Sequence, residues 1–351
     1  MKKNKTLWSL FILIALIAVT FYYLIRNYEI KKLINTIMQI NPIYLAAGLL
    51  FMFIFIASEG LGIRALLRSF NYRHSYLKCL KYSFLGFYYC SIMPVSGGQP
   101  VQIYYMNKDE IEVGDASLCI MLITICYQLG ILLTCLFALI LRYNFIIQNL
   151  GVLKYSSLLG AIINIVMVSL CITATFRSNI IEKAISFIIS VLSKIRVIKN
   201  PEKVMGKIKI QIENFRQGAS YVKSNPKILL MTLPCIVIQI LSRLSVAYAV
   251  YRSFGLHGFG YFDILSLQAF LALGVEYLPI PGSVGVAEAG FYKVNSMIFG
   301  SERLMSATLL TRGISYYAFL LISGGVAVYT HISQTFVQFK GKKSTHKATL
   351  L

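Results

Sequence analysis

Acidic residues are scarce. Thirteen Asp and Glu stand against 34 Lys and Arg, and charged residues make up only 13% of the 351-residue chain. A soluble domain carries about a quarter charged residues, so this chain cannot hydrate a surface of that kind. Histidine is also rare: His74, His257, His331 and His346 lie near the ends of apolar runs or in a tail, and none sits at ligand spacing from a cysteine or an acid. The seven cysteines (Cys79, Cys90, Cys119, Cys126, Cys135, Cys171 and Cys235) are odd in number and contain no C-x-x-C pair. That excludes a disulfide framework and a zinc ribbon and fits small, buried apolar residues. Also missing are H-E-x-x-H, the G-x-x-x-x-G-K-[ST] phosphate loop and the G-x-S-x-G nucleophile elbow, which Gly282-Ser283-Val284-Gly285 matches only superficially. No metal and no cofactor is expected.

What is present is apolar. Hydrophobic residues reach 57%, and the mean hydropathy is +0.69. The fold class is therefore all-α: a polytopic membrane helix bundle. The net charge of +21 raises nucleic-acid binding as one reading. However, the basic residues fall mainly between hydrophobic runs and at the two termini, which fits the positive-inside rule and contact with anionic lipid better.

The first apolar run covers 7–25 behind Lys2, Lys3 and Lys5. It is long and lacks a small-residue cleavage pattern, so it reads as an uncleaved span with a cytoplasmic N-terminus. A second span covers 43–64 and carries Glu59. Two more cover 116–141 and 155–176, a fifth covers 228–251 with Arg243 in its middle, and the last covers 304–331 with Arg312. Between the spans 155–176 and 228–251 lies the longest polar region, 177–227, with eleven Lys or Arg against three Glu, a net of +8. It reads as cytoplasmic, with 180–198 either a helix on the anionic inner leaflet or part of a solvated hairpin. Residues 1–337 are read as the transmembrane part and 338–351 as a basic cytoplasmic tail.

Two apolar segments are broken. One spans 77–106 and stops at Met93-Pro94-Val95-Ser96-Gly97-Gly98-Gln99-Pro100. The other spans 261–299 and breaks at Leu278-Pro279-Ile280-Pro281-Gly282-Ser283-Val284-Gly285-Val286-Ala287-Glu288. Proline removes a backbone donor, and glycine opens backbone geometries closed to other residues. The arms of the first are short of the roughly 20 residues a crossing needs, so it reads as a re-entrant hairpin; the second reads either as a hairpin or as two crossings. Re-entry of the first hairpin is also what returns the +8 region to the cytoplasmic side. The expected architecture is about six full crossings plus two re-entrant hairpins. Glu59 precedes Pro94 by 35 residues and Arg243 precedes Pro279 by 36. With the hairpins entering from opposite sides, this is the pattern of an inverted repeat whose interrupted segments mark a midplane site.

The chemistry expected there is ionic. Helix ends beside Gly97, Gly98, Gly282 and Gly285 offer free N–H groups that suit a lipid phosphate. Arg243 and Arg312 add bidentate donors. Glu59, Glu276 and Glu288 balance those arginines or meet a cationic headgroup, with Glu276 also a candidate hairpin cap and Glu288 answering to both arginines. Each charge read singly is also explained by a structural ion pair between helices.

The segment Pro94 to Pro100 resembles the first Gly-Gly motif of the lysylphosphatidylglycerol synthase/flippase transmembrane family. Leu278 to Glu288 resembles its second, more specific Pro-Gly…Gly…Glu motif. The resemblance covers nearly the whole chain, including Arg312. Where the family usually carries Glu after Gly-Gly, this chain has Gln99, so an uncharged amide takes that place. The resemblance implies a bacterial plasma-membrane protein that moves phosphatidylglycerol or its lysyl derivative between leaflets and so weakens binding of cationic antimicrobial peptides. It also implies that bifunctional relatives carry a cytosolic aminoacyl-transferase domain after the membrane part, which is not expected in the short tail here. The expectation is a lipid translocase, possible partners being a separate synthase and a second copy of the chain. The alternatives are a phosphatidylglycerol lysyltransferase using lysyl-tRNA, and a non-transporting partner subunit.

Overall fold

The computed structural model describes residues 35–93, 97–151, 153–176, 201–276, 278 and 280–348. The first apolar run at 7–25, Pro94 at the first break, Pro279 at the second and residues 177–200 lie outside the described residues. The described residues form eleven α-helices and contain no strand. These are α1 (Pro42–Ser69), α2 (Tyr76–Ile92), α3 (Gln99–Lys108), α4 (Val113–Leu150), α5 (Leu153–Phe176), α6 (Pro201–Ser224), α7 (Lys227–Ser253), α8 (Tyr261–Val275), α9 (Val286–Val294), α10 (Ser296–Arg312) and α11 (Phe319–Ala348). A 3-10 turn at Pro281–Ser283 precedes α9, and a π-helical stretch at Gly313–Ala318 joins α10 to α11.

Five stretches are long and apolar enough to cross a membrane: Pro42–Ser69, Val113–Leu150, Leu153–Thr173, Lys227–Ser253 and Ser296–Ser333. Each matches a span expected from the sequence, and two run well beyond it. The third expected span runs on to Leu150 because nothing halts it before Gly151, which sits at φ +51. Its extension bends at Arg142, whose side chain pairs with Asp263 at 3.1 Å. The last span begins at Ser296 rather than 304, with Gly300 at φ +67 taking up a break near its start. Of the basic region, Pro201–Ser224 is helical and docks by Phe215, Ala219 and Val222, with Gly218 set against Leu118 of α4.

Both broken segments are helical hairpins. In the first, Lys81 and Tyr82 of α2 hold Asp109, beyond α3, at 2.5 and 2.6 Å. Gln102 donates to the Tyr82 carbonyl at 3.0 Å, and Gly98 packs on Cys90. Burial pushes the Asp109 carboxyl up, but Lys81 and Tyr82 outweigh it and hold the group below its ordinary value. In the second hairpin, Ser283 Oγ donates to the Val275 carbonyl at 3.0 Å, Gly290 packs on Leu271, and Gln268 donates to Asn295 at 3.1 Å. Arms of 17, 10, 15 and 9 residues are each too short to cross alone.

Helix α7 fixes how the hairpins lie. It runs antiparallel to α1, from Thr232 and Cys235 beside Gly62 to Ser253, whose carbonyl accepts from Asn41 N at 2.9 Å. The base of the first hairpin sits at the end of α1 that faces the start of α7: Gly60 packs on Leu80, and Tyr76 OH donates to the Ala57 carbonyl. The base of the second sits at the other end of α7, where Tyr251 OH accepts from Phe259 N and Tyr261 meets Ser245. The tips meet between these levels, where Ile92, Val284 and Tyr316 cluster and Tyr316 OH donates to the Ser91 carbonyl. The hairpins are opposed, as expected from the charge-based topology.

Close packing at the first tip leaves no room for a side chain. A Cβ on Gly98 would lie 2.2 Å from Cys90 N and 2.5 Å from the Tyr89 carbonyl carbon. Gly98→Ala is therefore expected to destabilise the protein by about 1–3 kcal/mol through overpacking. Gly206→Ala, on α6 with nothing within 4 Å of the added carbon, should be neutral or stabilising by up to about 1 kcal/mol. Thermal unfolding of the two variants in detergent checks the contrast.

Candidate functional site

Between the two hairpin tips lies a cavity of about 560 Å³. Its polar lining includes Glu59 (α1), Gln99 and Gln102 (α3), Tyr127 (α4), Gln239 and Arg243 (α7), Glu276 (the end of α8) and Arg312 (α10), set among apolar groups such as Phe55, Ile123 and Leu271. Three charged clusters stand in or beside this space.

The first is built on the second tip. Pro281, Gly282 and Ser283 form a single 3-10 turn in which Gly282 sits at φ +59 and Ser283 at φ +51. A Cβ on Gly282 would come within 1.9 Å of the Tyr316 hydroxyl, so only glycine fits. Gly285, at φ +89, starts α9, and its N–H donates to Glu288 Oε2 at 2.7 Å. Glu288 keeps only 1% of its surface exposed. Its other oxygen accepts from Arg312 Nε and from Tyr317 OH, both at 2.8 Å. Arg312 also donates to the Gly282 carbonyl at 3.1 Å and lies over the Tyr316 ring at 4.6 Å. Arg312 stands where α10 passes into the π-helical stretch, so Tyr316 and Tyr317 turn toward the same tip.

The second cluster joins α7 to the end of α8. Arg243 forms an ion pair with Glu276 and donates to Tyr127 OH at 2.7 Å. The third surrounds Glu59, whose two oxygens accept from Gln102 Nε2 at 3.4 Å and Gln239 Nε2 at 3.1 Å. Gln99 donates to Thr124 at 2.8 Å.

The structure thus gathers Glu59, Gln99, Arg243, Glu276, Gly282 and Arg312 around one cavity, with Glu288 directly behind Arg312. Gly97, Gly98, Pro281 and Gly285 shape the tips without lining it. Glu276 balances an arginine, as expected, and is also the residue ending α8. Two expectations are corrected. Among the described residues Glu288 pairs with Arg312 and not with Arg243, because Arg243 is taken by Glu276. At the start of α9 the Gly285 N–H is not free for a phosphate, since it donates to the Glu288 carboxylate. Gln102, Tyr127, Gln239 and Tyr317 were not singled out from the sequence. The available signal was a polar side chain one helical turn from a charge, as Gln239 is from Arg243.

Removing one partner of a buried ion pair strands the other. Arg312→Met is expected to cost about 3–5 kcal/mol of stability, more than Tyr317→Phe, which loses one hydrogen bond to a charged group worth about 1.5–3 kcal/mol. Adding Glu288→Gln to Arg312→Met should recover part of the loss. Unfolding of the single and double variants in detergent measures that coupling.

Comparison with curated proteins gives no match. The family model described as the lysylphosphatidylglycerol synthase TM region matches residues 8–323. That match takes in both hairpins, the cavity between them and Arg312. On this extent, and with five described stretches able to cross a membrane, the chain is a multi-pass membrane protein belonging to the lysylphosphatidylglycerol synthase TM region family.

Proposed function

We propose that this chain is a lipid translocase that carries a phospholipid headgroup between leaflets through the cavity at the hairpin tips. The observation that carries the reading is a cavity of about 560 Å³ inside an apolar bundle, into whose largely apolar wall Glu59, Arg243, Glu276 and Arg312 are set, with Glu288 behind Arg312. Ionisable groups at membrane depth mark substrate paths, and the volume falls in the range of small-molecule sites, about 300–1,000 Å³. Both signs of charge are present, which suits an aminoacylated phosphatidylglycerol: its phosphate finds guanidinium donors and its ammonium finds carboxylates. On this reading the protein sits in a bacterial plasma membrane with both termini cytoplasmic. Its basic stretch 177–227 lies against anionic inner-leaflet lipid, and outward delivery of a cationic lipid lowers the surface negativity that attracts cationic peptides.

The test is leaflet exchange. The purified chain is reconstituted into liposomes carrying labelled phosphatidylglycerol or its lysyl derivative. Exchange above protein-free vesicles is expected, and Arg243→Ala and Glu288→Gln should each slow it about tenfold or more, the effect of losing some 1.4 kcal/mol of binding. Exchange indifferent to both substitutions sinks the site assignment. New aminoacyl lipid formed when charged lysyl-tRNA is supplied would instead favour a transferase.

A further inference from the structure

The three carboxylates at the cavity are not equivalent. Glu276 and Glu288 each meet an arginine. Glu59 meets no cation among the described residues and is held only by amide N–H groups, from Gln102 and Gln239. The groups facing it are the thiols of Cys90 (α2) and Cys119 (α4) and the phenol of Tyr127 (α4), none of them cationic. Arg243 lies one turn along α7 from Gln239 but is engaged by Glu276 and Tyr127, and Arg312 is engaged by Glu288. An ionised carboxylate in an apolar bundle is costly without a counter-charge, and the group avoids that cost by binding a proton.

A second observation says where that proton goes. Gln239 is 3% exposed, and while its Nε2 donates to Glu59, its Oε1 is buried without a hydrogen-bond partner. A buried acceptor left unmade costs about 1–3 kcal/mol, so its presence beside a lone carboxylate calls for a donor. A protonated Glu59 would supply it: its O–H would bond to Gln239 Oε1 while Gln239 Nε2 continues to donate to the other carboxyl oxygen, closing a two-bond acid–amide pair. Gln102 still has an oxygen to donate to, since a hydroxyl oxygen accepts as well as donates. We infer that Glu59 is a proton-exchange site, binding a proton from the cavity in a paired contact with Gln239 and releasing it to the cavity again. That this proton drives transport rests on the translocase reading above; the proton site itself does not.

Infrared difference spectra of the full chain in detergent test the site directly. As the pH is stepped down, a carboxylic-acid C=O band should appear reversibly, vanish in Glu59→Gln and persist in Glu288→Gln. Dicyclohexylcarbodiimide, which modifies protonated carboxyl groups in apolar surroundings, should label the Glu59 peptide of the wild type, less so as the pH rises. This keeps the test open if the variant fails to fold. A wild type with no titrating carboxyl, or a band that survives Glu59→Gln, overturns the site. Liposomes with an imposed pH gradient then test coupling. One proton per lipid allows a gradient of one pH unit to accumulate lysyl-phosphatidylglycerol up to about tenfold on one leaflet, with proton movement lost in Glu59→Gln. Lipid exchange that ignores the gradient and moves no proton overturns the coupling while leaving the translocase reading intact. A titrating Glu59 in a chain that exchanges no lipid overturns the translocase reading and supports the proton site alone.

Discussion

Burying the Glu288 carboxylate is the constraint from which the centre of this protein follows. With almost no exposed surface, it must be answered from several directions at once, and each answer shapes a different element. The Gly285 N–H caps it only because α9 begins at a left-handed glycine. Arg312 reaches it from the end of α10, and Tyr317 reaches it because the helix continues with π geometry over Gly313–Ala318. Single π turns are rare and gather at functional sites. The tip of one hairpin and a distorted stretch of a distant helix therefore form one unit, sealed by Tyr316 standing where any Gly282 side chain would have to be.

That unit sits on an axis of reciprocal packing. Helix α1 lies along α7. Helix α4, which follows the first hairpin, packs against α8 of the second, while α11, which follows the second hairpin, packs against α2 of the first. Within each half the same neighbours recur, as α3 lies on α4 and α9 on α10. Two opposed copies of a span–hairpin–span unit produce this exchange of partners, and they bring both broken tips to one level. Backbone that is not helical is tolerated at membrane depth where it is buried in protein or lines a cavity, and the tips meet in such a setting.

The charge arrangement obeys the same economy. Two arginines are each closed by a glutamate, so their desolvation is offset locally, and the amide-rich wall around Glu59 leaves one carboxylate without such closure. A headgroup entering the cavity would meet paired charges it has to compete for and one acid it does not.

The all-helical, membrane-spanning character was legible in the sequence because it depends on composition and on run length, both of which lipid reads one residue at a time. The two breaks were legible for a similar reason: Pro and Gly act on their own backbone wherever they occur. Glu59, Arg243, Glu276, Glu288 and Arg312 stood out because charge in an apolar run is rare. What only the tertiary structure decided is which charge answers which. Arg243 and Arg312 are alike as sequence, and their partners differ because α7 presents one to the end of α8 and the π-helical bend turns the other to the start of α9. The amides and phenols were passed over because a single Gln or Tyr in a hydrophobic helix carries no signal of its own. Gln102 and Gln239 are separated by more than a hundred residues and matter only because the first hairpin carries one and α7 presents the other to the same carboxylate.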